Sequence, residues 1–234
     1  SYMAIDESSA FVLSARVLAL ARTQEPGLDL VAPCSACYLV LRKTQDYVSR
    51  YPGLHRQAVD ALAALGLGPE IDVRVRHPLE VMYDDIGLDE IRRHVVRRWR
   101  GGCVACYYGC QAVRPYGEVD QPIGPTKMDE LMEALGVPVA PYPLKTRCCG
   151  GSLTGTVHEV GVRLNYILLK EAVRRGAEAV VTICPLCQFN LDTYQREMER
   201  QAHQALDVPV LYFTQLAGWV LGANAETLGL KRLI

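Results

Sequence analysis

The 234-residue sequence contains no uninterrupted apolar run approaching the roughly 20 residues that span a bilayer. The apolar stretch Ala10–Ala21 holds Arg16 and follows Asp6-Glu7, the wrong charge for a secretion signal. Charge of one sign is also missing: 25 Lys and Arg against 26 Asp and Glu leave a net charge of −1. That balance provides neither a basic field for nucleic acid nor an acidic tail. Nine cysteines are too few for a secreted disulfide scaffold of this length. They are many for a reducing compartment, and their clustering favours metal or redox chemistry. The expectation is a soluble, cytoplasmic protein that meets membranes only through a partner. Half of its residues are apolar, enough for a buried core.

The chain is organised around Lys145-Thr-Arg-Cys-Cys-Gly-Gly-Ser152. Neighbouring side chains on a strand point to opposite faces, so Cys148 and Cys149 share one site only if the chain bends there. Gly150 and Gly151 permit that bend, through positive φ or close backbone approach. Upstream, Cys110 closes a strand-like run, and downstream Cys184-Pro-Leu-Cys187 supplies two more thiols. The order C-x₃₇-CC-G-x₃₃-C-x₂-C describes a thiolate site assembled from three segments.

Read in order, residues 5–22 predict a helix with Phe11, Leu13, Val17, Leu18 and Leu20 on its apolar face. Leu28–Pro33 reads as a short strand delivering Cys34-Ser-Ala-Cys37, followed by helices over 38–50 and 55–65. Ile71–Arg76 is a second strand, with helices near 79–82 and 88–99 and a domain joint at Gly101-Gly102. Cys103–Tyr108, Val137–Ala140, Ala177–Ile183 and Val208–Phe213 read as strands. Helices are expected at 127–135, 156–175, 188–205 and 215–221. Thr156-Val-His-Glu159 has the form of a capping box, and Gly176 ends the helix it opens. Alternating elements with thiols at strand carboxyl ends predict α/β architecture with small, mostly parallel sheets flanked by helices.

The sequence also repeats. Gly27-Leu-Asp-Leu-Val-Ala-Pro-Cys-Ser-Ala-Cys37 matches Gly176–Cys187 with one insertion, and Leu41 and Leu191 each follow the second cysteine by four. Val73–Leu79 parallels Val210–Leu216. The expectation is two copies of one unit, residues 1–100 and 101–234. The counterpart of Cys148-Cys149 would fall before Ser1, which stands where an initiating Met would, with Met3 inside the first helical region. The first copy is therefore expected to lack its amino-terminal half.

Thiolates are stabilised by helix amino termini and hydrogen-bond donors. Cys184-Pro185 suits an N-cap followed by Pro at the first helical position. Five ligands exceed the four of tetrahedral zinc or a simple four-cysteine cluster, which favours a multinuclear iron–sulfur centre of unusual ligation. With Tyr107-Tyr-Gly-Cys-Gln-Ala-Val-Arg-Pro115, Lys145–Thr156 and Cys184-Pro-Leu-Cys-Gln-Phe-Asn-Leu191, the sequence resembles the B-type subunit of heterodisulfide reductase, a CCG-domain family, over essentially its whole length. The resemblance implies two CCG units and a noncubane [4Fe–4S] cluster in each complete one, where a disulfide is cleaved or formed with electrons delivered singly. It assigns Cys110, Cys148, Cys149, Cys184 and Cys187 to the complete cluster, as its catalytic and metal-binding residues, and leaves Cys34 and Cys37 as ligands of a second. It also implies the iron–sulfur (C-type) and flavin-containing (A-type) subunits of such a complex as partners, with a small disulfide or thiol as substrate.

Other readings stand beside this one. Related CCG domains serve as electron-transfer subunits of dehydrogenases or quinone-linked complexes, although no ferredoxin-type C-x₂-C-x₂-C run is present. A zinc-bound scaffold would use four of the thiols. Cys103 and Cys106 depart from the family pattern and read as small strand hydrophobes. Tyr107 and Tyr108 read as packing and His158 as structural. Lys145, Arg147 and Arg114 either anchor an anionic disulfide or form solvated surface charge.

Overall fold

A computed structural model describes residues 5–230; Ser1 and Met3 lie outside the described residues. The chain is mixed α/β and divides after Pro78 into two compact units, each with its own parallel sheet.

Unit 1 begins with α1 (Glu7–Gln24), capped by the Asp6 carboxylate, which accepts from the Ser9 N–H. Its buried face is Ala10, Phe11, Ala15, Leu18 and Ala19, whereas Leu13 and Val17 are exposed. The expected face is thus corrected: small residues let α1 approach its neighbours closely, and the larger aliphatics are left outside. Strand β1 (Leu30–Val31) enters α2 (Ser35–Arg50), followed by α3 (Pro52–Ala64) and β2 (Val75–Arg76), which pairs parallel to β1. Ala15, Val48 and Ala58 form a buried cluster, with Leu54 and Ile71 against it. The second strand starts later than its sequence suggests. The carbonyls of Ile71 and Val73 accept from the Gln45 side-chain amide instead of a neighbouring strand.

Helix α4 (Pro78–Glu80) begins on the last residue of unit 1, and unit 2 continues with a π-helical turn at Val81–Ile86 and α5 (Leu88–Arg93). Residues 96–99 attach to the end of the chain. The Arg97 guanidinium donates to the carbonyls of Trp219, Gly222 and Ala223, Val96 and Arg97 N–H groups reach the Val220 carbonyl, and Trp99 meets Trp219 edge to face. A cation on the last carbonyls of a helix is favourable, and it holds this stretch on the second sheet's unit.

Strands β3 (Val104–Tyr107), β4 (Ala179–Thr182) and β5 (Val210–Tyr212) form a parallel sheet in that order. Both β3 and β4 are buried throughout, as expected of strands covered on two faces. Val137–Ala140 makes one isolated bridge, Val139 with Val104. Pro138 and Pro141 lack the N–H groups that a full strand needs. Helices α6 (Lys127–Ala134), α7 (His158–Arg174), α8 (Pro185–Thr193), α9 (Gln195–Ala202) and α10 (Phe213–Val220) complete the unit. The capping box expected at Thr156 is absent: the Thr156 hydroxyl donates to the Ser152 carbonyl, and Val157 is the N-cap. A 3₁₀ turn at Leu153–Gly155 uses those residues first.

The repeat is visible as structure. Leu30 and Val180 each lie four residues before an N-cap cysteine, and they pair with Val75 and Val210. The structural counterpart of Val210 is therefore Val75, two residues later than the sequence match at Val73. Pro78 and Phe213 then both start helices.

Candidate metal centre

Three loops at strand carboxyl ends in unit 2 bring the cysteines together. Cys184 is the N-cap of α8, with extended backbone and Pro185 in the first turn, which directs Cys187 inward from the same turn. β3 ends at Tyr107, and Gly109 turns the chain with φ +72° to place Cys110. The third loop, 145–151, is clamped onto the second: the Lys145 carbonyl accepts from both Tyr108 and Gly109 N–H groups, and the Tyr107 hydroxyl donates to the Arg147 carbonyl at 2.6 Å. The Arg114 guanidinium donates to the Thr146 carbonyl. These bonds carry Cys148 to Cys110.

The five thiols fall in two hydrogen-bonded sets, close enough for the charge of Cys149 to act on Cys110. Cys149 and Cys187 sulfurs are 3.4 Å apart, Cys187 also hydrogen-bonds with Cys184, and Cys110 with Cys148. Cys149, Cys184 and Cys187 are buried, Cys110 is half-buried and Cys148 is exposed. Gly150, at φ +71°, turns the chain so that its N–H donates to the Cys148 sulfur at 3.2 Å. The adjacent cysteines thus face different partners, Cys148 toward Cys110 and Cys149 toward Cys187. A Cβ on Gly109 would stand 3.1 Å from the Cys187 sulfur, so this glycine also keeps the space beside that thiol open.

Electrostatics separates the thiols. A hydrogen bond from Cys187 outweighs burial and lowers Cys149 to about 7, with Asn190 helping. Cys187 is correspondingly raised, first by its bonds to Cys149 and Cys184 and then by burial. Burial, followed by the charge of Cys148, pushes Cys110 up to about 12. Tyr107 lies against the group, and its hydroxyl is raised by burial and then by Cys187 and Cys149.

Cys34 and Cys37 begin α2 in unit 1 in the same backbone arrangement, but Cys34 is half-buried and Cys37 exposed. The extra cysteines lie elsewhere: Cys106 is buried within β3, and Cys103, just before it, donates to the Gly176 carbonyl. Tyr108 packs, its hydroxyl accepting from the Met128 N–H. His158 joins Glu197 at 2.9 Å. Lys145 is withdrawn from any role at the thiols by a 2.5 Å ion pair with Asp129 and a bond to the Pro125 carbonyl. Arg147 and Arg114 remain exposed beside Cys148 and Cys110.

Sequence reasoning missed Asn190 and Thr154. Asn190 is fully buried, with its amide nitrogen 3.8 Å from the Cys149 sulfur and its oxygen 3.0 Å from the Thr154 hydroxyl. Its spacing of three from Cys187, which puts both on one face of a helix, was the available signal.

Among the described residues, no three His, Cys, Asp or Glu side chains are arranged to hold a single metal ion. The all-sulfur donor set, its mutual contacts and the space kept by Gly109 nevertheless suit a group that several thiolates share.

Fold and thiols together define a cysteine-rich parallel α/β domain. The model of the cysteine-rich domain family CCG matches residues 104–192, the segment carrying all five thiols. The 8-methylmenaquinol:fumarate reductase membrane anchor subunit of Wolinella succinogenes is 30% identical over 229 residues, covering 97% of this chain and 78% of that protein. A protein of Archaeoglobus profundus, named for its likeness to the B-type subunit of heterodisulfide reductase, is 29% identical over 223 residues, 92% of this chain and 73% of its own. The B-type subunit of the ferredoxin/F(420)H(2)-dependent CoB-CoM heterodisulfide reductase of Methanosarcina acetivorans is 26% identical over 237 residues, 99% and 77%. A crystal structure of a hypothetical protein from Helicobacter pylori shares the fold, with a TM-score of 0.71 at 15% identity. This chain is covered over 95% of its length and spans 41% of that one. The chain belongs to the cysteine-rich CCG family that includes the B-type subunits of heterodisulfide reductases. That membership supports an iron–sulfur, electron-transferring oxidoreductase role within a multi-subunit complex. No helix among the described residues is long and apolar enough to cross a membrane.

Proposed function

We propose that unit 2 binds a noncubane [4Fe–4S] cluster through Cys110, Cys148, Cys149, Cys184 and Cys187, and that the chain is the disulfide-reducing or disulfide-forming subunit of a heterodisulfide reductase-type complex. The observation that carries this reading is the gathering of five thiols, in two neighbouring hydrogen-bonded sets, by three loops at the carboxyl ends of one sheet. When bound, such a cluster supplies electrons one at a time to a sulfur–sulfur bond that needs two. The protein's own part is anchoring and access. Cys149, Cys184 and Cys187 hold from the buried side, while Cys148 and Cys110 form the side open to solvent. Tyr107 closes the floor and keeps water from it. Arg147 and Arg114 offer exposed cations beside that opening, suited to a small anionic disulfide or thiol.

In unit 1, Cys34 and Cys37 hold part of a second cluster, and residues 1–100 and 101–234 descend from one repeated CCG unit. The iron–sulfur (C-type) and flavin-containing (A-type) subunits of such a complex are the electron partners, and the complex is cytoplasmic. The relative named a membrane anchor of a fumarate reductase supports a second reading: electron transfer to a quinone-linked partner with no disulfide chemistry.

Iron, zinc and acid-labile sulfide would be measured on protein purified without oxygen, with EPR after oxidation in the presence and absence of a thiol. Iron with matching sulfide and a thiol-dependent signal is expected. Iron and sulfide whose signal ignores thiol would favour the electron-transfer reading, and zinc without sulfide would sink both.

A further inference from the structure

We propose that Asn190 is a positioning residue for Cys149: its side-chain amide, oriented by Thr154, donates an N–H···S hydrogen bond that fixes this sulfur for ligation. The inference deepens the cluster reading and rests on it where Cys149 acts as a ligand. Asn190 lies on α8 one turn after Cys187 and is fully buried. Its Nδ2 is 3.8 Å from the Cys149 sulfur, and its Oδ1 is 3.0 Å from Thr154 Oγ1. A ligating thiolate only accepts, so the nitrogen must face it; the opposite amide orientation would set two acceptors against each other. The Thr154 hydroxyl then shares its one proton between the remaining oxygen at 3.0 Å and the more distant Gly151 carbonyl at 3.2 Å.

Two glycines make room for this pair. A Cβ on Gly151 would stand 3.3 Å from Asn190 Nδ2 and 3.0 Å from Leu186. One on Gly161 would meet Thr154 at 2.7 Å from its methyl and 2.8 Å from its backbone nitrogen. The second glycine of the Cys-Cys-Gly-Gly run, which has no positive φ, is thereby explained. Packing alone does not require an amide at this position. A buried amide is costly unless bonded, and unit 1, with the same strand–cysteine–helix corner, has Val40 three residues after Cys37. Groups that hydrogen-bond a metal ligand commonly change metal affinity 10–100-fold when removed.

The test uses the full chain, purified without oxygen, with Asn190→Leu, Thr154→Val and Thr154→Ser. Release of bound iron to a ferrous chelator and the EPR line positions of the oxidised, thiol-treated protein are the first readouts. Asn190→Leu and Thr154→Val are expected to release iron about tenfold faster or more, with shifted lines, while Thr154→Ser behaves as the unaltered protein. Should Asn190→Leu fail to fold, the Val/Ser pair at 154 decides alone. The second readout is alkylation of Cys149 by iodoacetamide in iron-free protein, scored by peptide mapping against Cys110 in the same chain. Thr154→Val is expected to change that ratio by about fivefold, with Ser restoring it. If the unaltered protein holds no iron, the cluster reading fails and the alkylation ratio still judges Asn190. Release rates, lines and alkylation ratios unchanged in both Thr154→Val and Asn190→Leu would overturn the proposal.

Discussion

The two units contain the same corner in different surroundings. In unit 1, β1 runs into Cys34 at the N-cap of α2, with φ −151° and ψ 123°; in unit 2, β4 runs into Cys184 at the N-cap of α8, with φ −130° and ψ 118°. The leucine four residues after the second cysteine is buried in both. Yet Cys37 is exposed where Cys187 is buried. The strand–N-cap–helix element fixes the spacing of two thiols and nothing more. What turns two thiols into a site is the pair of loops clamped over them, Gly109-Cys110 and Cys148–Gly151, for which unit 1's described residues offer no equivalent.

The largest expected effect breaks that comparison directly. Cys187→Ser should abolish the iron-dependent EPR signal of unit 2, whereas Cys37→Ser, at the matching position, should leave it in place. Equal losses of the unit 2 signal amplitude from the two substitutions would mean that the corners are not functionally distinct.

The clamp comes next. Lys145→Met leaves the mostly buried Asp129 carboxylate without its ion-pair partner. Burial already raises Asp129 despite the lysine. A loss of about 3 kcal/mol in urea unfolding is expected, and the double variant Lys145→Met with Asp129→Leu should recover much of it. Gly109→Ala would force a Cβ at φ +72° toward the Cys187 sulfur. It should cost about 1–2 kcal/mol from the backbone alone and reduce iron content as well; Gly27→Ala in unit 1, with φ +91° but nothing within 4 Å, should show only the stability loss.

The smallest effect is electrostatic. His158 is raised above its ordinary value of 6.5 by its bond to Glu197, then by the Thr154 carbonyl. A raised folded-state value means that its contribution is full below pH 6.5 and fades as pH climbs through the higher value. His158→Gln should therefore lower Tm at pH 6 and have little effect at pH 9. A Tm difference that does not vary with pH would show that the bond to Glu197 carries no charge.

Much of this arrangement was legible from residues. Thiols spaced on short apolar runs bounded by Gly and Pro identify parallel strands with cysteines at their carboxyl ends. The repeat around Cys34 and Cys184 carries over to the N-cap geometry itself. What sequence did not reveal depends on contacts across long separations. Arg97 reaches the end of α10, and Gln45 occupying two carbonyls shortens β2. Thr156-Val-His-Glu159 has the letters of a capping box, but a preceding turn uses the hydroxyl. Asn190 lacked any charged or nucleophilic signature; beyond its spacing from Cys187, its contact with Cys149 marks it.

The parallel order of β3, β4 and β5 has a temporal consequence. Cys110 follows β3, Cys148 and Cys149 follow the bridge at Val139, and Cys184 and Cys187 follow β4. No two of these loops are contiguous in the chain, so no early fragment can gather the full set. During synthesis, the thiol group is complete only after α8 has left the ribosome and β4 has slotted beside β3. The proposed cluster, if held by all five, would find its complete ligand set only in a nearly finished domain, with Cys148 on its exposed side. Under that proposal, the full ligand set becomes available only once β4 has paired with β3.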